Sequence, residues 1–327
     1  MSANWNTAWG QWIIEELVRL GTPVFCVAPG SRSTPLTSAV AAHPGASCQV
    51  FTDERSAAFF ALGVGRATGR PAVIITTSGT AAAHAYPAII EANQSGVPLL
   101  LLSANRPPEL HDTGANQTID QHHLFGDRIR WHRALPCPSP EFPATALLSI
   151  VNQAWRHTVS DHPGPVHLDL PFREPLGPAR PAPLPEDPRL GAWQRTRTPW
   201  NRSAPARHRP ATEDTEDLAR LLDTTHRGVL LVGTLDDPRE RAAARKLANR
   251  LGWPTLADIT SGLRLDEGLT HALECTDALF GSPRIRSLAR PQLVLQLGGP
   301  LVSRRIFQAW TESPPDTWIT VGPEARR

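Results

Sequence analysis

Short apolar segments recur along the first half of the chain, and helical patterns separate most of them. Apolar segments of strand length between helices are typical of a parallel sheet that is covered by helices on both faces. The sequence therefore predicts an α/β fold built on a doubly wound, mainly parallel sheet. The segments are PVFCVA (23–28), CQVFT (48–52), AVIIT (72–76), PLLLLSA (98–104) and VHLDL (166–170).

Helix boundaries are marked by polar caps and glycines. Asn6 is predicted to cap a first helix that ends at Gly21, and a later helix is predicted from Asp53 to about Thr68, ending at Gly69. A further helix is predicted over the segment AAAHAYPAIIEAN, which follows TSGT.

A chain of 327 residues is too long for one modest core, so two domains are expected. Residues 174–210 are rich in Pro, Arg and Ala, a composition typical of an extended, semi-rigid linker. Strand and helix patterns then resume, as in GVLLVG and QLVLQLGG. We predict a first domain over 1–175, a linker over 176–211 and a Rossmann-like central domain over 212–327.

Charge and cysteine content exclude several classes of protein. The 33 basic and 31 acidic residues nearly balance, and the arginines between 195 and 209 lie in the Pro-rich stretch, so no nucleic-acid partner is expected. The four cysteines are far apart in the sequence, which favours free thiols in a reducing compartment. Neither a leader pattern nor a long apolar run is present, so we expect a soluble, cytoplasmic protein without a membrane partner.

Polar residues follow four of the predicted strands at the point where each strand ends. Ligands of open parallel sheets bind beyond the carboxyl ends of the strands. The sequence therefore predicts a cleft at this edge. The residues are Ser31-Arg32, Asp53-Glu54-Arg55, Thr77-Ser78-Gly79-Thr80 and Asn105-Arg106.

Each of these residues also has a simpler interpretation. Glu54 suits the first turn of any helix, and successive helical side chains point about 100° apart, so Asp53, Glu54 and Arg55 cannot all face one cleft. Arg32 can be a surface arginine or the planar cation that a carboxylate or phosphate requires. The TTSGT segment can be a helix cap or a place where the backbone passes close to a ligand.

The histidines of the loop after the fourth strand lack metal-ligand spacing. His122 and His123 are predicted to face solvent, and no metal site is predicted from His111, His122 and His123.

Five segments together resemble the thiamine-diphosphate-dependent 2-succinyl-5-enolpyruvyl-6-hydroxy-3-cyclohexene-1-carboxylate synthases, the synthase family below. The resemblance is dense from about residue 5 to 175 and weaker to the end. It implies a pyrimidine-binding domain followed by the family's central domain, and an enzyme of menaquinone biosynthesis. The segments are APGSRSTPLT (28–37), TDERSAAFFALG (52–63), TTSGTAAAHAYPAIIEA (76–92), LLLSANRPPEL (100–110) and GANQTIDQ (114–121).

The resemblance also implies a reaction. These transferases decarboxylate 2-oxoglutarate and add the succinyl carbanion equivalent to isochorismate. The implied catalytic residue is Glu54, whose carboxyl would contact the aminopyrimidine ring and favour the imino tautomer that removes the thiazolium C2 proton. Charge-assisted contacts would select the two carboxylate substrates. The implied substrate-binding residues are Ser31, Arg32, Arg106, Asn116 and Gln117, and the cofactor-binding residues are Glu54, Thr77, Ser78 and Gly79.

One family motif is missing from this sequence. Family members hold the diphosphate and Mg²⁺ (or Mn²⁺) through a GDG motif in a third domain, whereas here Gly126-Asp127 is followed by Arg128. The expected partners are therefore a diphosphate-binding domain, in another chain or a missing segment, and a second copy in a homodimer. The chain alone is expected to be inactive. A non-catalytic relic or partner-binding half-enzyme, and another thiamine-dependent 2-oxo-acid decarboxylase, remain as alternatives.

Overall fold

A computed structural model describes residues 4–202, 209–235, 237–288 and 290–322. The chain divides into two compact units, Met1–Arg207 and His208–Arg327. Neither unit contains, among these described residues, a helix long and apolar enough to cross a bilayer.

The first unit is built on a six-stranded sheet in which every pairing is parallel. The strand order is β2-β1-β3-β4-β6-β5, and β3 and β4 are buried along their whole length. This confirms the predicted parallel α/β fold. The strands are β1 (Phe25–Val27), β2 (Cys48–Val50), β3 (Ala72–Thr76), β4 (Leu99–Asn105), β5 (Trp131–Ala134) and β6 (Pro165–Pro171).

Strand β5 has no counterpart among the predicted strands. It lies at the edge of the sheet and pairs only with β6 among the described strands, and its residues are half-buried or exposed. An edge strand of this kind needs no continuous apolar run, so its sequence WHRA carries no strand pattern.

Helices cover both faces of the first sheet. One core contains side chains of α1, α2 and α6, and the core on the other face contains side chains of α3 and α5. Those helices shield the apolar strands from water on each side. The helices of this unit are α1 (Trp5–Arg19), α2 (Thr34–Ala42), α3 (Glu54–Thr68), α4 (Thr80–Ala83), α5 (Tyr86–Ser95), α6 (Ala144–Thr158) and α7 (Pro188–Arg195).

Two helix boundaries test the sequence predictions. Helix α3 begins after Asp53, whose side chain accepts a hydrogen bond from the Ser56 N–H, and it ends at Gly69 in the left-handed conformation, as predicted. The prediction for α1 is wrong, because its cap is Asn4, which accepts from Thr7 N–H. Asn6 instead donates its side-chain amide to the carbonyls of Arg173 and Pro175.

The segment predicted as a linker over 176–211 is not extended throughout. It contains α7, whose Leu190 and Trp193 are buried in the core of the first unit. Trp200 packs against the same core. The Pro- and Arg-rich composition predicted an extended segment. It docks instead because burial of these apolar side chains stabilises it by more free energy than the loss of chain entropy costs. Residues 203–208 of the predicted linker lie outside the described residues.

A buried carboxylate, Glu16 of α1, holds this segment in place. Its two oxygens accept hydrogen bonds from Trp193 Nε1 (2.6 Å), the Trp200 backbone N–H (2.6 Å) and Asn152 Nδ2 (2.7 Å). Burial raises the pKa of Glu16, and the three donors oppose that shift. The carboxylate thus satisfies two donors that the docked segment would otherwise bury without a partner.

Replacing Glu16 with Ala is expected to lower the free energy of unfolding by about 3 kcal/mol, because the N–H groups of Trp193, Trp200 and Asn152 lose an acceptor. Urea denaturation followed by tryptophan fluorescence measures the change. Glu15→Ala is the matched control, since the partly exposed Glu15 pairs with Arg19 and His43 and should cost only about 1 kcal/mol. Equal losses in the two variants would contradict the role given to Glu16.

The second unit has a four-stranded parallel sheet of order β10-β9-β7-β8. Its strands are β7 (Gly228–Val232), β8 (Thr255–Ala257), β9 (Leu293–Leu297) and β10 (Thr317–Val321). Two apolar cores lie on its opposite faces, one around Leu230 and Leu295 and the other around Leu231 and Trp310. The helices are α8 (Thr212–Thr224), α9 (Pro238–Leu251), α10 (Thr276–Gly281), α11 (Pro283–Leu288) and α12 (Arg304–Glu312).

Candidate active site

The loops that follow β1 and β3 meet at the carboxyl edge of the first sheet. Gly30, after β1, lies so close to Thr77, after β3, that a Cβ atom on Gly30 would sit 2.4 Å from the Thr77 Cβ. Any larger residue at position 30 would push these loops apart. Two of the four loops that were predicted to converge are therefore in contact at this edge.

Ser78 is the centre of the contacts between the loops. Its hydroxyl donates to the Gln117 carbonyl (3.1 Å) and accepts from Arg106 Nη1 (2.9 Å), while Gln117 Nε2 donates back to the Ser78 carbonyl (3.0 Å). Arg106 Nη2 donates to the Asn116 carbonyl (3.2 Å), and the Asn116 side chain is exposed. The structure therefore brings Ser78, Arg106, Asn116 and Gln117 together.

Gly79 is required by the geometry of its loop. Its φ is 79°, in the left-handed region, and a Cβ atom there would lie 3.1 Å from the Gln117 carbonyl oxygen. Its N–H donates to the side-chain oxygen of Gln121 (2.9 Å). The loop thus passes closer to its neighbour than a residue with a side chain allows.

Arg32 is buried beneath the same edge. Its Nη1 donates to the Phe172 carbonyl (2.8 Å) and its Nη2 lies 3.5 Å from the carboxylate of Glu174. Its buried Nε makes no hydrogen bond to a described residue. Burial, and then the positive charge of Arg106, lower the pKa of Arg32. The guanidinium of Arg106 is therefore within electrostatic range of Arg32.

Ser31 precedes Arg32 in a short 3₁₀ turn. It is exposed, and its hydroxyl makes no hydrogen bond to a described residue, although its carbonyl accepts from the Thr34 hydroxyl (2.7 Å). Ser31 thus presents an exposed hydroxyl in the residue before the buried Arg32.

The residues Asp53, Glu54 and Arg55 of the second loop differ in their contacts and exposure. Asp53 is occupied as the cap of α3, and Arg55 is exposed. The side chain of Glu54 is only 23% exposed, and its Oε2 lies 3.4 Å from Nδ1 of His84. His84 ends the short helix α4, which begins directly after Gly79.

The predicted residues thus form two groups. One contains Ser78, Gly79, Arg106, Asn116 and Gln117, with Arg32 within electrostatic range. The other contains Glu54 and His84. In the described part of the chain, Glu54 forms no hydrogen bond or ion pair with Arg32 or Arg106. The two groups are therefore connected there through the Thr77–Gly79 loop and α4.

Sequence reasoning did not identify a buried polar cluster beneath these loops. It contains Ser103 and Asn105 of β4, His167 and Asp169 of β6, and Gln121. Burial raises the pKa of Asp169, whereas hydrogen bonds from Asn105, Ser103 and Gln121 oppose the rise. Polar residues at alternate positions of a buried strand, as in VHLDL, were the available signal.

The prediction that His122 and His123 face solvent is confirmed. His122 and His123 are exposed, with ring centroids 4.0 Å apart, and both lie near His132 of β5. Burial, followed by the nearby His122 and His123, lowers the pKa of His132 to about 4. No group of three His, Cys, Asp or Glu side chains suited to a metal ion occurs in the described ranges.

Two family models match the chain. The thiamine pyrophosphate enzyme N-terminal TPP-binding domain matches residues 7–124, and the middle domain of thiamine pyrophosphate enzymes matches residues 187–327. The first match includes the loops after β1, β3 and β4, so the candidate site lies largely within it.

Curated relatives match over nearly the whole chain. Proteins named 2-succinyl-5-enolpyruvyl-6-hydroxy-3-cyclohexene-1-carboxylate synthase from Chlorobium phaeobacteroides and Pelodictyon phaeoclathratiforme are each 44% identical, over 98% of this chain and 55% and 54% of their own lengths. The Salinibacter ruber protein of that name is 43% identical over 98% of this chain and 54% of its own length. The chain spans about half the length of these relatives. It therefore belongs to the thiamine pyrophosphate enzymes, with the N-terminal TPP-binding and middle domains of the 2-succinyl-5-enolpyruvyl-6-hydroxy-3-cyclohexene-1-carboxylate synthase family.

Proposed function

We propose that the chain is the N-terminal portion of a synthase that decarboxylates 2-oxoglutarate and adds the resulting succinyl group to isochorismate. The observation that carries this proposal is the pair of guanidinium groups, Arg32 and Arg106, at the carboxyl edge of the first sheet. Two cations close enough for one to lower the pKa of the other favour binding of an anionic ligand. The names of the relatives supply the reaction.

The substrate side of the site suits carboxylates. The guanidinium fork of Arg106 is held by Ser78 and by the Asn116 carbonyl, and the buried Arg32 retains an Nε–H without a partner among the described residues. Planar forks bind carboxylate oxygens through paired, charge-assisted hydrogen bonds. We assign Arg32 and Arg106 to the substrate carboxylates, with Ser31, Asn116 and Gln117 as neighbouring polar contacts.

The pyrimidine end of thiamine diphosphate fits the second group of residues. The Glu54 carboxyl is partly exposed and makes no hydrogen bond to a described residue, so it can hold a proton at a ring nitrogen. Thr77, Ser78 and Gly79 offer a loop in which Gly79 permits a close backbone approach. When bound, the cofactor supplies the electron sink that decarboxylation of a 2-oxo acid requires.

The diphosphate end and Mg²⁺ have no comparable place in the described residues, which contain no group of side chains suited to a metal ion. We propose that both are held by a diphosphate-binding domain, in another chain or in a segment beyond this one. An exposed apolar surface on α3 and α5 supports such a partner, because Phe59 and Phe60 are each 45% exposed and Tyr86 and Ile90 each 38%. We also propose that the chain forms a homo-oligomer in the cytoplasm.

A chimera tests the proposed function. We would join the remaining C-terminal portion of the Chlorobium phaeobacteroides synthase to this chain and assay it with 2-oxoglutarate, isochorismate, thiamine diphosphate and Mg²⁺. Product is expected from the chimera and not from residues 1–327 alone. The full-length relative is the positive control.

Other outcomes of this assay would overturn the proposal. A folded chimera without activity would favour the non-catalytic relic. Faster decarboxylation of pyruvate than of 2-oxoglutarate would favour another thiamine-dependent decarboxylase. Turnover by residues 1–327 alone would contradict the need for a further domain.

A further inference from the structure

We propose that Asp169 is a positioning residue that sets the orientation of two site loops through two amide side chains. The contacts are properties of the fold, but their catalytic purpose rests on the proposed function. Asp169 lies in β6, below the loops, and is 4% exposed, so it acts through its neighbours.

Asp169 first orients the side-chain amides of Asn105 and Gln121. Asp169 Oδ2 accepts a hydrogen bond from Asn105 Nδ2 (2.7 Å), and Oδ1 accepts from Gln121 Nε2 (2.8 Å) and the Ser103 hydroxyl (3.1 Å). An ionised carboxylate only accepts hydrogen bonds. It therefore forces both amides to turn their NH₂ groups towards it and their oxygens away.

The side-chain oxygens of these two amides then accept hydrogen bonds from the backbone of the site loops. Asn105 Oδ1 accepts the backbone N–H of Arg106 (2.7 Å), and Gln121 Oε1 accepts the backbone N–H of Gly79 (2.9 Å). The Asp169 carboxylate thus sets the partner of the Arg106 N–H through Asn105. It helps to set the partner of the Gly79 N–H through Gln121, whose Nε2 also donates to Ser103 Oγ (3.0 Å) and the Ala104 carbonyl (3.3 Å). Arg106 Nη1 also donates to the Ser78 hydroxyl (2.9 Å). Because Ser78 is bonded to Gly79, the contacts form a closed ring that starts and ends at Asp169.

Stability alone is a poor explanation for this arrangement. Asp169 forms no ion pair with any described residue, and a buried carboxylate without a cation carries a large desolvation cost. An apolar residue there would avoid that desolvation cost, but it would leave Asn105 Nδ2 without its acceptor, and Gln121 Nε2 would keep only Ser103 Oγ and the Ala104 carbonyl. The arrangement is therefore better suited to positioning the loops.

These contacts form a relay with two arms, one from Asp169 through Asn105 to the Arg106 N–H and one through Gln121 to the Gly79 N–H. The substitution Asp169→Asn separates the two arms. The remaining oxygen can still accept from Gln121 and Ser103, so the introduced NH₂ faces the NH₂ of Asn105. Asn105 must rotate, and its own NH₂ then faces the Arg106 N–H. Adding Asn105→Asp restores an acceptor for both donors, so the double variant should recover the wild-type arrangement.

Amide hydrogen exchange, resolved by NMR on the full chain, measures both arms. In Asp169→Asn we expect about tenfold faster exchange at Arg106 and a change within about twofold at Gly79. The Asn105→Asp, Asp169→Asn double variant should return Arg106 to the wild-type rate. Gln121→Met should show the reverse pattern, with faster exchange at Gly79 alone, and it serves if Asp169→Asn does not fold.

Glu16→Gln is the matched control, because it alters a buried carboxylate of the same unit away from these loops. It should leave the ratio of the Arg106 and Gly79 rates unchanged. An equal rise in exchange at the backbone N–H groups of Arg106 and Gly79 in Asp169→Asn would overturn the proposal. So would a double variant whose Arg106 exchange rate does not return to the wild-type rate.

A second readout links the relay to binding. Succinate is titrated while the Nε–H signal of Arg106 is followed, and Asp169→Asn should weaken succinate binding about tenfold, with recovery in the double variant. Unchanged binding alongside altered exchange would overturn the positioning role. A wild-type chain without any succinate-dependent shift would contradict the proposed substrate class, and the exchange pattern would still decide the relay.

Discussion

In the active chimera, Glu54→Gln is expected to slow exchange of the thiazolium C2 proton of thiamine diphosphate by about 10³-fold, the range that a positioned acid–base group contributes. Glutamine has nearly the same shape and can accept a hydrogen bond, but it cannot carry a proton. The affinity for the cofactor should therefore change little. Quenched-flow hydrogen–deuterium exchange, read by NMR of the cofactor, measures the rate.

Asp53→Asn is the matched control for Glu54→Gln. It removes the same charge one residue earlier, and asparagine caps helices as well as aspartate does. Its exchange rate should stay within a few-fold of the wild-type rate, since Asp53 is occupied by the Ser56 N–H. Equal rates in the wild type and in Glu54→Gln would remove Glu54 from the reaction.

Arg106→Lys is expected to raise the KM for the carboxylate substrates about 100-fold and to leave kcat within a few-fold of the wild-type value. Lysine keeps the charge but loses the fork that donates at once to Ser78 and Asn116. The remaining ammonium cannot be held by both partners while it also binds a carboxylate. Steady-state kinetics of the chimera, with each substrate varied in turn, separate KM from kcat.

Arg55→Lys is the control for this substitution, because Arg55 is exposed in the first turn of α3. It should leave both constants unchanged. A loss confined to kcat in Arg106→Lys would show that Arg106 acts in the chemical step and not in substrate binding.

Local patterns in the sequence predicted most of the scaffold. The apolar runs predicted parallel strands, and Asp53 and Gly69 marked the ends of α3, because burial of a strand and the capping of a helix depend on neighbouring residues. The position of the polar loops at one edge followed from the parallel sheet. The resemblance, carried by motifs in these loops, supplied the family.

Long-range contacts account for the predictions that failed. The cap of α1 is Asn4 because Asn6 is bonded to carbonyls at 173 and 175. Part of the predicted linker docks because Glu16 offers an acceptor to Trp193 and Trp200. The partners of Asn6 and Glu16 lie far away in the sequence, so neighbouring residues do not predict these hydrogen bonds.

The sequence by itself determined the parallel α/β architecture, the polar loops and the family, because these depend on patterns within short windows of the chain. Only the tertiary structure showed that Asp53 caps α3 while the Glu54 carboxyl lies 3.4 Å from Nδ1 of His84. It alone joined Asp169 to Asn105 and Gln121, which lie 64 and 48 residues away. Hydrogen-bond partners so distant in sequence are chosen by the packing of the sheet, which no local pattern records.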